Sequence, residues 1–486
     1  MPSAETDRST PIELSELRAG PASSVHDPGP GVDGGPSGDS AERLINLSSL
    51  PPVDRGFGAW SFLTAAFLIE AIVWSFPGAF GIFLEAYRSD PIYQQQKNSN
   101  LLLPLIGPLG SGIVYCSAPI GTVLTGKYPN YRRHAMWVGA VLSPVSLFAA
   151  SYTTRLPLLV FLQGVINAFG GMLLYFPCIA YMSEWFVERR GFANGVIFAG
   201  TGLGGLILPL ILPLFISSYG PQRTLRYVSI ALFCLLLPVL PFAKGRLPYL
   251  RSRVSGPEPR GSTRGWLKSR TFWVLMCVNT LQGFGHFVPI VWLPTYATAL
   301  RINPTQASIT VAVLNGAAVF GGLLMGYLSD IMSPWVLALL SLILTSLTTF
   351  ILWGIFSTTF GGLLAFGIVY GSLAGGWSSL WSSFTRPFAN DDPRVVTIVL
   401  GYLALSRGIG NILSTPISSA LSLSSNNTVF STRHETIGFK VEDGKYEKMI
   451  LYTGTCFTGA ALIGLVGWIG DRRGRAGQET ARSVAF

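Results

Sequence analysis

From Phe57 onward the chain repeats a single pattern, an apolar run of roughly 18–25 residues followed by a short polar connection. The runs lie near 57–84, 101–125, 134–153, 157–182, 191–216, 224–243, 271–297, 306–329, 334–356, 360–384, 394–420 and 449–469. Coiled as a helix, each is long enough to cross about 30 Å of hydrocarbon. Membrane strands would be about ten residues long and would alternate in polarity, which these runs do not. The expectation is an all-α membrane protein with 12 transmembrane helices. Charge content agrees, since only 12% of residues are charged and a soluble chain needs about 25% to wet its surface.

The segments outside the runs set orientation and exclude several functions. Residues 1–50 are rich in Pro, Gly, Ser and Asp and offer too little apolar area to offset the entropy of ordering, so a disordered tail is expected. It has no basic stretch followed by an apolar core, the mark of a signal peptide, which places it in the cytosol. With the tail inside, 23 Lys and Arg fall on the cytosolic side and 10 on the other, and Arg407 alone stands mid-span. That bias puts both termini in the cytosol of a multi-pass protein, in the plasma membrane or, alternatively, a vacuolar or other endomembrane. The net charge of +10 reads as membrane topology, not nucleic-acid binding, because the basic residues sit in short loops between apolar runs. Cys116, Cys178, Cys234, Cys277 and Cys456 each fall inside an apolar run with no CxxC pair or His cluster, which argues against a disulfide framework or a zinc site. No Walker lysine follows the glycine runs. No cofactor, ATP hydrolysis or enzyme activity is expected.

The chain also repeats itself. A basic connection, Lys244 to Arg270, follows the sixth run and divides the spans into two groups of six. The second span ends Gly126-Lys127-Tyr128 and the eighth ends Gly326-Tyr327-Leu328-Ser329-Asp330. The fifth reaches Gly200-Thr201-Gly202-Leu203-Gly204, and the eleventh reaches Arg407-Gly408-Ile409-Gly410. Parallel six-helix repeats resemble the build of major facilitator transporters. The resulting divisions are a tail at 1–50, a six-helix bundle at 51–243, a linker at 244–270, a second bundle at 271–470 and a tail at 471–486.

Two stretches narrow the resemblance. The first span opens Asp54-Arg55-Gly56-Phe57-Gly58-Ala59-Trp60. The fifth reads Glu184-Trp185-Phe186-Val187-Glu188-Arg189-Arg190-Gly191-Phe192-Ala193-Asn194-Gly195, then Ala199-Gly200-Thr201-Gly202. Both resemble signatures of the monocarboxylate porter family, and Asp391-Asp392-Pro393 with Ser406-Arg407-Gly408-Ile409-Gly410-Asn411 is similar to its fungal members. Two departures bear on substrate. Family members that carry lactate-like acids have a lysine after the Phe-Pro of the first span, where Phe76-Pro77 is followed here by Gly78. They also have an Asp and an Arg a turn apart in the eighth span, and Asn315-Gly316-Ala317-Ala318-Val319-Phe320-Gly321-Gly322 holds neither.

Charges inside a bilayer cost several kcal/mol unless paired or wet. Glu70 and Arg407 are therefore the first candidates, Glu70 as a proton carrier and Arg407 as the holder of an anionic group or partner of an acid. Each has a bland alternative as a structural partner of a neighbouring helix. Gln163 and Asn167 stand four apart, as do Gln282 and His286, so each pair shares a helix face and serves either substrate or helix–helix adhesion. His286 draws further interest because imidazole changes charge near working pH. Asn315 and Asn411 are weaker candidates. Trp377 and Trp381 would stack an aromatic ligand or simply pack. The glycine runs read as close helix packing. Arg189, Arg190 and Asp330 sit at cytosolic helix ends, as gate charges or topology anchors. Asn426-Asn427-Thr428 is a glycosylation candidate on the outer side.

The function expected is a secondary active transporter that moves a small organic solute by alternating access, with protons as coupling ion and the lipid bilayer as its setting. Efflux of a hydrophobic secondary metabolite is favoured over uptake of a monocarboxylate. A non-transporting nutrient receptor is the rival of another class.

Overall fold

The structure, a computed structural model, describes residues 50–187, 189–247, 265–389, 393–423 and 437–484. The expected disordered tail, most of the basic linker and the Asn426 sequon lie outside the described residues. Every described element is helical. The helices are α1 (Gly56–Ser89), α2 (99–127, with a break at Ser117), α3 (Arg132–Ala150) and α4 (Leu156–Trp185). Then come α5 (190–219) and α6 (221–239), α7 (Arg270–Ala299) and α8 (Pro304–Ile331). The last four are α9 (Pro334–Phe356), α10 (360–389), α11 (Pro393–Leu423) and α12 (Glu447–Val484).

Ten helices are long and apolar enough to cross a membrane. One of the ten, 52 residues long, is two spans. Its break falls at Gly220, whose φ of 77° and ψ of 164° lie where a side chain would clash, and Pro221 follows as the first residue of the next helix. The remaining span, α3, opens on Arg132-Arg133-His134, which lowers its hydropathy. Helix starts carry familiar chemistry. Asn303 caps α8 by accepting from the Thr305 N–H at 3.1 Å, with Pro304 as its first residue. The sequence reading differs most at the C-terminus, where α12 continues to Val484 in place of a tail from 471.

The end of the bundle where α1 begins is called the near end below, and the opposite one the far end. Glycines decide how closely the helices approach. On α5, a side chain at Gly200 or Gly204 would run into the α1 backbone at Phe67 and Ala71. One at Gly202 would come within 2.8 Å of the Asn315 carbonyl oxygen, and one at Gly205 within 2.6 Å of the Asn315 side chain, both on α8. The run Gly200-x-Gly202-x-Gly204-Gly205 thus lets one helix lie against neighbours on two sides, α1 and α8. Similar contacts join α2 to α11, where Gly408 faces Cys116 and Gly112 faces Ile412. At the far end Gly81 of α1 faces Ile290, Val291 and Pro294 of α7. In lipid, where apolar surface gains nothing by hiding from water, such close packing carries much of the association energy.

Gly204→Ala should therefore lower the melting temperature in detergent by several degrees, from about 1–3 kcal/mol of overpacking. Gly126→Ala, where a new methyl would meet nothing within 4 Å, should leave the melting temperature unchanged.

Candidate substrate cavity

Between the first six and the last six helices lies an enclosed cavity of about 70 Å3. Its walls are aromatic and polar: Trp74, Tyr115, Phe198 and Tyr370 with Thr201, His286, Asn315 and Arg407. Sites that hold a drug-sized molecule run to roughly 300–1,000 Å3. The cavity is smaller than such sites, and contacts across the two groups of helices flank it towards both ends. Towards the far end, Thr298 Oγ1 of α7 donates to Glu85 of α1 at 3.3 Å, and the Arg88 guanidinium lies 4.9 Å above the Trp292 ring. Towards the near end, Gly401 of α11 packs on Ala118 and Thr122 of α2, and Gly326 of α8 faces Gly191 and Gly195 of α5.

Arg407 is the cavity's one strong charge among the described lining residues. It is 3% exposed, and its Nη1 donates to Gln282 Oε1 at 3.1 Å. Its guanidinium sits 5.9 Å from the Tyr115 ring and 5.8 Å from the Trp381 ring. Among the described residues its Nε has no hydrogen-bond partner, and no carboxylate pairs with it. Asn411, one turn further along α11, is fully buried with neither side-chain polar atom bonded. His286 lines the cavity, and its Nδ1 is buried without a partner. Tyr370 fixes the α7 backbone beside it by donating to the Gly285 and His286 carbonyls, both at 3.1 Å.

Glu70 stands one layer back. It is 1% exposed, and the described contact of its carboxylate is a 3.4 Å bond from Thr201 Oγ1, a residue that does line the cavity. Gly200, whose Cβ would lie 3.2 Å from Glu70 Cβ, lets the carboxylate tuck in there. Asn315 donates to the carbonyls of Gly78, Gly205 and Val311 at 3.1–3.2 Å and so ties α8 to α1 and α5. Gly78 itself abuts the α5 backbone, since a Cβ there would be 3.2 Å from Gly205 Cα. A side chain at this position would need α5 to give by a few tenths of an ångström, although Gly78 itself lines the cavity.

Other candidates fall elsewhere. Gln163 donates to the Tyr87 hydroxyl at 2.8 Å, whereas Asn167 accepts from Ser143 at 2.6 Å. These two face different neighbours because α4 winds as a π-helical turn over Phe161–Ile166, which breaks the one-turn register implied by a four-residue spacing. Neither lines the cavity. Trp377 and Trp381 both donate to Asn279 Oδ1, at 2.7 and 3.0 Å. Asn279 in turn donates to the Leu403 carbonyl and Ser406 Oγ, at 2.6 and 2.7 Å. This fully buried side chain clasps α7, α10 and α11 together, a role its position alone did not reveal. The Arg189 side chain is exposed, and its backbone N–H donates to Asp54 at 3.2 Å. The side chains of Arg190 and Asp330 lie outside the described residues. A near-end ion pair not read from the sequence, Arg132 to Glu184 at 2.6 Å, joins α3 to α4.

The chain is similar to known proteins in sequence and in fold. Residues 115–415 match the family description Major Facilitator Superfamily. Monocarboxylate transporter 10 of Rattus norvegicus is 24% identical across 98% of this chain and 93% of its own length. The aspyridones efflux protein apdF of Emericella nidulans is 26% identical across 77% of this chain and 74% of its own. In fold, the nucleoside transporter NupG superposes with a TM-score of 0.58 at 15% identity, over 84% of this chain and 99% of that one.

The Asn279 clasp is testable on its own. Asn279→Leu should strand two buried indole N–H groups at about 1–3 kcal/mol each, giving a far larger drop in melting temperature than Trp377→Phe. Equal losses from the two substitutions would contradict the clasp.

Proposed function

The chain belongs to the major facilitator superfamily of membrane transporters, and from that premise we propose that it exports an acidic, largely apolar small molecule in exchange for protons. Arg407 carries this reading. A guanidinium held at mid-span with no carboxylate partner among the described residues is costly, and an anionic group on the cargo offsets that cost when it binds. The aromatic walls fit an unsaturated or cyclic body, whose π-face packs on Tyr115, Tyr370 and Trp74. His286 and Asn315 supply polar contacts around it.

Glu70 is assigned the coupling proton. It lies one residue behind the cavity and touches it through Thr201, so cargo and proton communicate without direct contact. Both termini face the cytosol of the plasma membrane on this reading, because the basic loops gather at the near end. Arg189, Arg190 and Asp330 lie at that end as gate charges. Efflux is favoured over uptake by the absence of the lactate-type lysine, whose place Gly78 takes. The similarity of apdF, an efflux protein by its name, supports the same direction. A second reading, exchange of a small monocarboxylate, draws support from the similarity to monocarboxylate transporter 10 along nearly the whole chain.

In proteoliposomes loaded with a lipophilic carboxylate, an inward proton gradient should drive release by the parent protein. Arg407→Gln should cut the rate at least about tenfold, as expected for loss of a buried charge-assisted contact. Glu70→Gln should keep downhill exchange but abolish its response to the pH gradient. Release that responds to pH as before in Glu70→Gln would remove the coupling assignment, and full rates in Arg407→Gln would remove the acidic cargo.

A further inference from the structure

Below the central cavity, towards the near end, lies a second and smaller chamber of about 30 Å3. It is lined by Thr122 of α2, Tyr175 of α4, Asn194 of α5, and Thr397 and Gly401 of α11. The two spaces meet at an aromatic layer. Phe198 of α5 lines both, Tyr115 of α2 lines the upper and Trp381 of α10 the lower. The Tyr115 and Phe198 rings stand edge-on to Trp381, with centroids 6.2 and 6.3 Å away and interplanar angles of 72° and 79°.

The origin of these rings matters. Tyr115 and Phe198 belong to the first six helices and Trp381 to the last six, so the layer is a seam between the groups that must part if cargo is to reach the near end. Trp381 is anchored on its own side by its bond to Asn279. Arg407, also among the last six helices, is the one described charge that touches both sides of this seam, through its contacts with Tyr115 and Trp381. A cation above two ring faces holds them together by attraction to both. When an anion takes the guanidinium, that attraction weakens.

We propose that Tyr115, Phe198 and Trp381 form the gate between the cavity and the near end, and that Arg407 latches it until an anion binds there. The latch rests on the reading of Arg407 as the anion site, whereas the gate stands on the packing of the three rings. The layer thus couples occupancy to opening: an empty cavity stays sealed on this side, and a filled one releases its seal.

The test uses the full chain in sealed vesicles with the near end facing the bath, with Thr201→Cys as a reporter inside the cavity. Labelling by a membrane-impermeant thiol reagent is compared with the parent chain, whose five native cysteines give the background. Phe198→Ala and Trp381→Ala should each speed labelling of the reporter by about tenfold, a shift of the open population. Trp381→Phe, which keeps a ring, should stay near the parent rate. Phe198→Ala leaves the Asn279 clasp intact and so guards against a folding defect. Arg407→Gln should speed labelling as Trp381→Ala does, without any added anion. Unchanged labelling in both alanine variants would overturn the gate. Unchanged labelling in Arg407→Gln, with transport of the acid lost, would overturn the latch and leave the acidic cargo standing. Faster labelling with transport of the acid intact would instead refute the acidic cargo.

Discussion

An arginine buried at mid-span with no carboxylate to meet it among the described residues is the constraint on which the rest of this molecule turns. Desolvating a guanidinium costs several kcal/mol even after the protein relaxes, and one Gln282 carbonyl with two ring faces repays only part of that. A chain that needed only stability would replace such a group with an apolar side chain. Its presence is explained when the missing partner arrives with the cargo. The cavity around it is then a binding site, and a neighbouring polar atom left unsatisfied there, His286 Nδ1, belongs to the same unfilled demand.

Close backbone packing makes that arrangement possible. Because α5 presents glycine to α1 and to α8, three helices meet near Glu70, Thr201 and Asn315 with almost no side chain between them. Such a joint is tight yet smooth, since it is made of backbone surface and a few bonds from one Asn. The same tightness brings the α5 backbone at Gly205 up against Gly78. On the proposed reading, the charge that meets the cargo comes from Arg407 of α11.

Much of the fold was legible in the sequence because hydrocarbon thickness fixes span length, and a chain can satisfy its backbone in lipid only as helix or closed barrel. Glu70 and Arg407 were legible for a related reason: a charge in a long apolar run stands out. What was not legible is where each side chain points. In a helix that is apolar all round, period gives no inside face, so Asn279 looked no different from Asn167. Spacing misled at Gln163 and Asn167, where a π-helical turn shifts the register, whereas the one-turn spacing of Trp377 and Trp381 gives two buried rings that share a hydrogen-bond acceptor. The Arg132–Glu184 pair spans 52 positions, and no local pattern announces it.

In the proposed account Arg407, the aromatic layer and the carboxylate behind Thr201 form one chain of cause, from charge to seal to proton, and the charge comes first. The most direct measurement of it is the thermal shift of the purified protein with matched ligands, an aromatic carboxylic acid and its methyl ester. The account predicts that the acid raises the melting temperature of the parent protein, that the ester does not, and that Arg407→Gln responds to neither. Equal stabilisation by acid and ester, or a response to the acid that survives Arg407→Gln, would contradict it.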